Sequence, residues 1–165
     1  RGSSFSFITL YNRKITRMKS PALFIDRDGT IIKQIDGHYI SSIEQIELIE
    51  NIFPAILMLQ NEGYLVIIVT NQAGINKGIL SNELVDEINQ HIIRLLKKQG
   101  IDVSAVYVCP HKPEEQCKCR KPQPGLLLKA AKEHNIDLEN SIIIGDTDKD
   151  TEAGLNAGLK KVIKI

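Results

Sequence analysis

Asp26 and Asp28 flank Arg27 at the end of the apolar run ALFI, and Gly29 follows at once, in the stretch FIDRDGTII. Stripping water from a carboxylate is costly, so acids leaving a buried strand either hold a cation or decorate an ordinary Asx turn. Three further stretches bear on that choice. Thr70 lies in TNQ, Lys121 in RKP, and Asp146 with Asp150 in GDTDKD. A Mg²⁺ ion is satisfied by one or two carboxylates, waters and substrate phosphate oxygens. A lysine supplies a point charge where negative charge builds in a transition state. These residue types together suit phosphoryl transfer to a carboxylate nucleophile, which cations must shield from the phosphate dianion.

A second set is denser. Cys109, His111, Cys117 and Cys119 form C-x-H-x5-C-x-C in CPHKPEEQCKC, and they include all three cysteines of the chain. Three thiols and one imidazole make a closed tetrahedral set, the composition of a structural rather than a catalytic zinc site. A disulfide or scattered free thiols are the alternatives, and an odd number of cysteines weighs against full pairing. This loop runs directly into Arg120 and Lys121, so a metal there would position both. His91 and His134 fall in helical patterns and read as surface residues.

The elements that must position these groups alternate in type. The runs ALFI (22–25), LVIIV (65–69), AVYVC (105–109), SIIIG (141–145) and KVIKI (161–165) are short, apolar and β-branched. Near-continuous apolar runs of this kind suit parallel strands covered on both faces. Between them lie helical patterns over 51–63, 81–100, 124–136 and 148–158. In the second of these, Ser81 is a capping residue, Leu84, Ile88, Ile92 and Leu95 repeat at helical spacing, and Lys97, Lys98 and Gly100 close the segment. The order predicts an α/β fold with a doubly wound, mainly parallel sheet, in which Asp26, Thr70, Cys109 and Asp146 share one rim. Ligands of open α/β sheets bind outside that rim.

A length of 165 residues suits one domain, assigned to 21–165. Residues 1–20 read as an extension, either flexible or left over from cloning, with Met18 as a natural start; a targeting segment is the alternative. No apolar run approaches the ~20 residues that cross a bilayer. The net charge of +1 gives no general reason to expect a nucleic-acid or membrane partner.

DRDGT (26–30), TNQ (70–72), RKP (120–122) and GDTDKD (145–150) resemble, in type and order, the four motifs of haloacid dehalogenase (HAD)-like phosphatases. The resemblance covers about residues 22–165. It implies a Rossmann-like fold with Asp26 as nucleophile, Asp28 as general acid and base, and Thr70 and Lys121 stabilising the phosphoryl group. Mg²⁺ would be held by Asp26, Asp146 and the backbone carbonyl of Asp28, with Asp150 behind it or orienting Lys121. A zinc loop before RKP is similar to that of heptose 1,7-bisphosphate 7-phosphatases and of histidinol-phosphate phosphatases. TNQAGINKGIL and RKPQPGLLL resemble the former, while the short x5 spacing resembles the latter. His38 and Thr147 depart from residues common in the heptose group. The resemblance further implies substrate contacts from Asp36, His38, Tyr39, Asn71, Gln72, Arg120 and Thr147, with Arg120 reaching the distal end. No inserted segment is long enough for a cap, so the flap (31–42) and the zinc loop must enclose the substrate. The expectation is a cytoplasmic, monomeric phosphatase acting on a small phosphorylated sugar or alcohol, most closely heptose bisphosphate in surface-polysaccharide precursor synthesis. Histidinol phosphate is the alternative substrate. A polynucleotide phosphatase and a non-catalytic zinc-stabilised binding module are the remaining readings.

Overall fold

Alternation along the strands decides which side chain enters which layer. The computed structural model describes residues 18–165. Its first strand, β1 (Ala22–Ile25), is buried along its whole length. It pairs in parallel with β2 (Leu65–Asn71) on one side and β4 (Ile142–Gly145) on the other. β3 (Val103–Cys109) lies outside β2, and β5 (Lys161–Lys164) lies outside β4. The sheet order is therefore β3-β2-β1-β4-β5, all parallel. The chain reverses its direction of travel at β1 and β4, and the crevice between them is the topological switch point.

Leu23, Ile25, Val66 and Ile68 face one core with α1 (Phe53–Asn61) and α2 (Asn82–Lys98). Ala22, Phe24, Ile67 and Val69 face the other, with α3 (Gly125–His134) and α4 (Asp148–Ala157). Both faces of the sheet are thus covered, as apolar runs without polar alternation require. The edge strand β5 presents exposed Lys161 and Lys164, charges that discourage further strand pairing.

Local chemistry fixes the helix ends. The Ser81 hydroxyl accepts from the Leu84 amide at 3.0 Å and starts α2. The buried stripe of α2 is Val85, Ile88, Asn89, Ile92 and Leu96. The expected repeat at Leu84 and Leu95 therefore sits one position off the most buried line, and both leucines are half-buried at its margins. The expected first helix begins as a separate 3-10 turn at Glu50–Ile52. His91 and His134 are half-buried rather than freely exposed.

At the N-terminal edge the fold starts one residue before the expected boundary at 21. Ser20 forms a parallel bridge with Ile136, and its carbonyl accepts from the Asp137 amide at 2.9 Å. The proposed extension otherwise lies mainly outside the described residues. Among the described residues, no helix is long and apolar enough to cross a membrane.

Candidate active site and metal centres

The peptide chain turns sharply as it leaves β1. The Asp26 amide donates to Ile144 O at 3.0 Å and extends the sheet ladder by one rung toward β4. The Arg27 carbonyl then gathers the amides of Ile31 (2.9 Å) and Ile32 (3.1 Å). Gly29 holds φ at +90°, and a Cβ there would lie 2.2 Å from Asp146 Oδ2. Only glycine lets the β1 turn and the β4 turn approach this closely.

That approach concentrates charge. Asp26, Asp146 and Asp150 each bring a carboxylate oxygen within 4.8 Å of the others. Lys121, 3% exposed, places Nζ 2.5 Å from Asp26 Oδ1, 2.5 Å from Asp150 Oδ1 and 2.8 Å from Val69 O. Three carboxylates against one ammonium leave two negative charges in a water-poor pocket. Burial pushes Asp26 from its ordinary 3.8 up to about 7, with Asp150 and Asp28 adding repulsion and Lys121 opposing. Burial likewise raises Asp146. Desolvation works to remove the Lys121 proton, but Asp26 and Asp150 outweigh it and hold the amine above its ordinary value. Asp146 Oδ1 is buried with no hydrogen-bond partner. An orphaned carboxylate oxygen within a cluster two charges short of neutrality fits a hard divalent cation.

Asp28 is held differently. Arg27 Nε and Nη2 donate to its two oxygens, each at 3.1 Å. Gln72 Nε2 donates to Asp28 Oδ2 at 2.7 Å and to Thr70 Oγ1 at 2.9 Å. Thr70 Oγ1 lies 3.4 Å from the same carboxylate oxygen. Gln72, expected to touch substrate, is buried, spends its amide on Asp28 and Thr70, and borders a recess beside Asp28. The Asn71 side chain clamps the Lys121 peptide from both ends, donating to its carbonyl at 3.1 Å and accepting from its amide at 3.0 Å. Asp150 Oδ2 accepts from Thr147 N (3.1 Å) and Thr147 Oγ1 (2.6 Å), so one carboxylate both caps α4 and orients Lys121.

Asp26, Asp28, Thr70, Asn71, Lys121, Asp146 and Asp150 line a cleft of about 170 Å³ that also includes Arg120, Thr147, Gln34 and Lys149. A recess of about 110 Å³ beside Asp28 is lined by His38, Tyr39 and Gln34 from the flap. The Lys77 ammonium sits 5.8 Å above the Tyr39 ring and ties flap to neighbouring loop. Asp36 lines neither space; it is exposed, and its carbonyl pairs with the His38 ring at 2.8 Å. On the other side a groove of about 510 Å³ shares Arg120, Lys121 and Lys149 with the cleft and adds Lys118, with no acidic residue in its lining. Gln34 and Lys149 were not expected from the sequence. Lys149 carried a signal, since it stands in the first turn after Asp146, on the rim side of α4.

The cysteine loop is closed by its own geometry. Cys109 Sγ lies 3.2 Å from Cys119 Sγ and 3.6 Å from Cys117 Sγ, and Cys117 lies 3.4 Å from Cys119. His111 Nδ1 stands 3.2 Å from Cys119 Sγ and 3.5 Å from Cys109 Sγ. A tetrahedral zinc with bonds of about 2.3 Å to sulfur separates its thiolates by about 3.8 Å, so these edges need only slight expansion. Burial opposes ionisation of Cys117, but the Arg120 amide and its neighbouring thiols bring it down to about 7. That amide donates to Cys117 Sγ at 3.3 Å, and Arg120 Nη1 donates to His111 O at 3.2 Å. The loop is also tied outward, by Asn76 to Glu115 at 3.0 Å. Where α3 begins, a Cβ on Gly125 would lie 2.2 Å from Lys118 O, so the loop packs directly on the helix start.

A parallel sheet with a buried aspartate at the switch point, a second two residues on, and a lysine with further acids across the crevice defines a HAD-like phosphatase. Comparison with known proteins agrees. The family model described as polynucleotide kinase 3 phosphatase matches residues 22–158. The D-glycero-beta-D-manno-heptose-1,7-bisphosphate 7-phosphatase of Helicobacter pylori is 44% identical over 140 residues, which cover 84% of this chain and 80% of that protein. The histidine biosynthesis bifunctional protein of Blochmanniella floridana is 37% identical over 146 residues, 88% of this chain but 41% of that protein. The crystal structure of D,D-heptose 1,7-bisphosphate phosphatase from B. bronchiseptica, complexed with magnesium and phosphate, superposes with a TM-score of 0.78 at 29% identity, covering 86% of this chain and 78% of that one. The chain belongs to the HAD-like phosphatase family that includes the heptose-1,7-bisphosphate 7-phosphatases.

Proposed function

We propose that this phosphatase removes the 7-phosphate of D-glycero-D-manno-heptose 1,7-bisphosphate through an aspartyl-phosphate intermediate. The observation that carries the choice of substrate is the acid-free groove beside the acidic cleft, with Lys118, Arg120 and Lys149 in its lining. A second phosphate on the distal end of the substrate suits that field. Histidinol phosphate ends instead in an amine and an imidazole, which the same groove repels. The heptose-named relative, 44% identical against 37% for the histidine-biosynthesis protein, points the same way.

Asp26, Asp146 and the Asp28 carbonyl are the groups that would hold Mg²⁺, which neutralises charge between nucleophile and phosphate when bound. The remaining steps belong to the chain. Lys121 and Thr70 receive the phosphoryl oxygens and fix phosphorus in line with Asp26. An Asp26 oxygen bonds to phosphorus as the bond from phosphorus to the sugar oxygen breaks. Asp28 gives its proton to the departing alkoxide, then takes one from the water that attacks the aspartyl-phosphate, which releases inorganic phosphate and restores Asp26. The flap recess at His38 and Tyr39 excludes water from the reacting bond. Cys109, His111, Cys117 and Cys119 would hold zinc, and their loop fixes the segment that presents Arg120 and Lys121. The enzyme is read as a cytoplasmic monomer comprising one domain.

A substrate panel tests this. Heptose 1,7-bisphosphate gives the highest kcat/KM, ahead of histidinol phosphate and a 3′-phosphorylated oligonucleotide. Preference for histidinol phosphate by tenfold or more reverses the assignment. p-Nitrophenyl phosphate hydrolysis requires Mg²⁺ and is lost in Asp26→Asn; indifference to both rejects the mechanism.

A further inference from the structure

Arg27 is a deeply buried charge to which the phosphatase chemistry assigns no task. It is 1% exposed, wedged between the two aspartates that act on the substrate. A guanidinium in such a place is unfavourable unless its donors are matched. They are matched on two sides. Nε and Nη2 grip both oxygens of Asp28, and Nη1 donates to Asn89 Oδ1 at 2.8 Å. Asn89 stands on the inward stripe of α2, where its neighbours Val85, Ile88, Ile92 and Leu96 are all apolar. A buried amide in that stripe weakens packing against the core and has no local reason to be there. Its partner is 62 residues away in sequence and leads straight to the site.

The geometry sets the consequence. A planar fork that meets both carboxylate oxygens fixes the plane of the carboxylate as well as its distance. Gln72 fixes the opposite side by donating to Asp28 Oδ2. Without Asn89, the fork can rotate about its own side-chain bonds and carry the Asp28 carboxylate with it.

We propose that Arg27 and Asn89 are positioning residues, which hold Asp28 in the orientation from which it delivers a proton to the departing sugar oxygen. This rests on the reading of Asp28 as general acid.

Leaving-group dependence tests it. p-Nitrophenolate departs well without a proton, and a sugar alkoxide does not, so a misplaced general acid slows only the second reaction. kcat/KM reports events through leaving-group departure and is the quantity to compare. In Asn89→Leu, kcat/KM on heptose bisphosphate falls about tenfold or more, within the range a general acid supplies, and on p-nitrophenyl phosphate it stays within about threefold. Asn89→Asp, which keeps an acceptor oxygen for Arg27, restores the sugar substrate to within about threefold. Arg27→Lys keeps the charge but not the fork and shows the same selective loss, and it carries the test if Asn89→Leu does not fold. Equal losses on both substrates, or none on either, overturn the proposal. Asp28→Asn separates the two levels of inference. If it shows the selective loss and the Arg27 and Asn89 variants do not, the positioning role alone fails. If Asp28→Asn itself shows none, the general-acid reading fails and takes this proposal with it.

Discussion

Replacing Asp26, the proposed nucleophile, should stabilise the metal-free protein. Asp26 ionises at about 7 in the fold against an ordinary 3.8, because burial and two neighbouring carboxylates outweigh the attraction of Lys121. An acid whose pKa is raised by folding contributes stability fully present below the unfolded value and lost as pH rises through the folded one. The wild-type protein without Mg²⁺ therefore weakens between pH 4 and pH 7. Each unit is worth about 1.4 kcal/mol, so the shift amounts to about 4 kcal/mol at pH 8. Asparagine at position 26 keeps an oxygen for Lys121 Nζ, and the charge-assisted part of that bond is already contained in the folded pKa. The net gain of Asp26→Asn at pH 8 is about 4 kcal/mol, or roughly 8–16 °C in Tm for a domain of this size. Thermal unfolding of both proteins, dialysed free of Mg²⁺ with zinc retained, reads this directly. The difference disappears below about pH 3, where Asp26 is neutral in both states. Added Mg²⁺ raises the wild type more than the variant and narrows the gap at pH 8. A lower Tm for Asp26→Asn at pH 8, or a difference unchanged by pH, refutes the charge accounting on which the cation site depends.

Three other outcomes follow from contacts at the rim. Gly29→Ala loses Mg²⁺ binding and activity together, by about 10²-fold or more in kcat/KM, because its Cβ would displace Asp146 from 2.2 Å away; titration calorimetry and turnover check it. Lys118→Ala raises KM for the bisphosphate about threefold but leaves KM for a monophosphorylated sugar within about twofold, since it removes a cation that lines the distal groove and not the cleft. Removal of zinc with a thiol-competitive chelator costs several kcal/mol of stability. It also lowers kcat/KM, because the Arg120 amide and guanidinium are bonded to Cys117 and to the His111 carbonyl; restoring zinc recovers both readouts.

The sheet was legible because its strands are nearly pure in composition. Ala22–Ile25 is the interval that the ALFI run announces, and β4 lies within SIIIG. The rim followed from the placement of polar residues after those runs. Other features depended on distance through space. GDTDKD gives the acids their spacing, but not that Asp150 divides its two oxygens between Lys121 and the start of α4. TNQ gives an amide pair, but not that Asn71 and Gln72 face opposite tasks, one holding the Lys121 peptide and the other holding Asp28. Periodicity misplaced the buried line of α2 by one residue at each end because it followed leucines, whereas the helix also turns Asn89 inward.

Charge shows most sharply where spacing stops informing. In DRDG the spacing says nothing of where the arginine between the two acids points. Its side chain pairs with Asp28, and Lys121 is the ammonium in direct contact with Asp26 and Asp150 of the remaining three acids. If Arg27 faced solvent, four carboxylates would share one ammonium, and a single divalent ion would leave the pocket one charge short of neutral. With Arg27 turned inward, the deficit is two, the charge of one Mg²⁺. The same side chain thus sets how many cations the crevice requires.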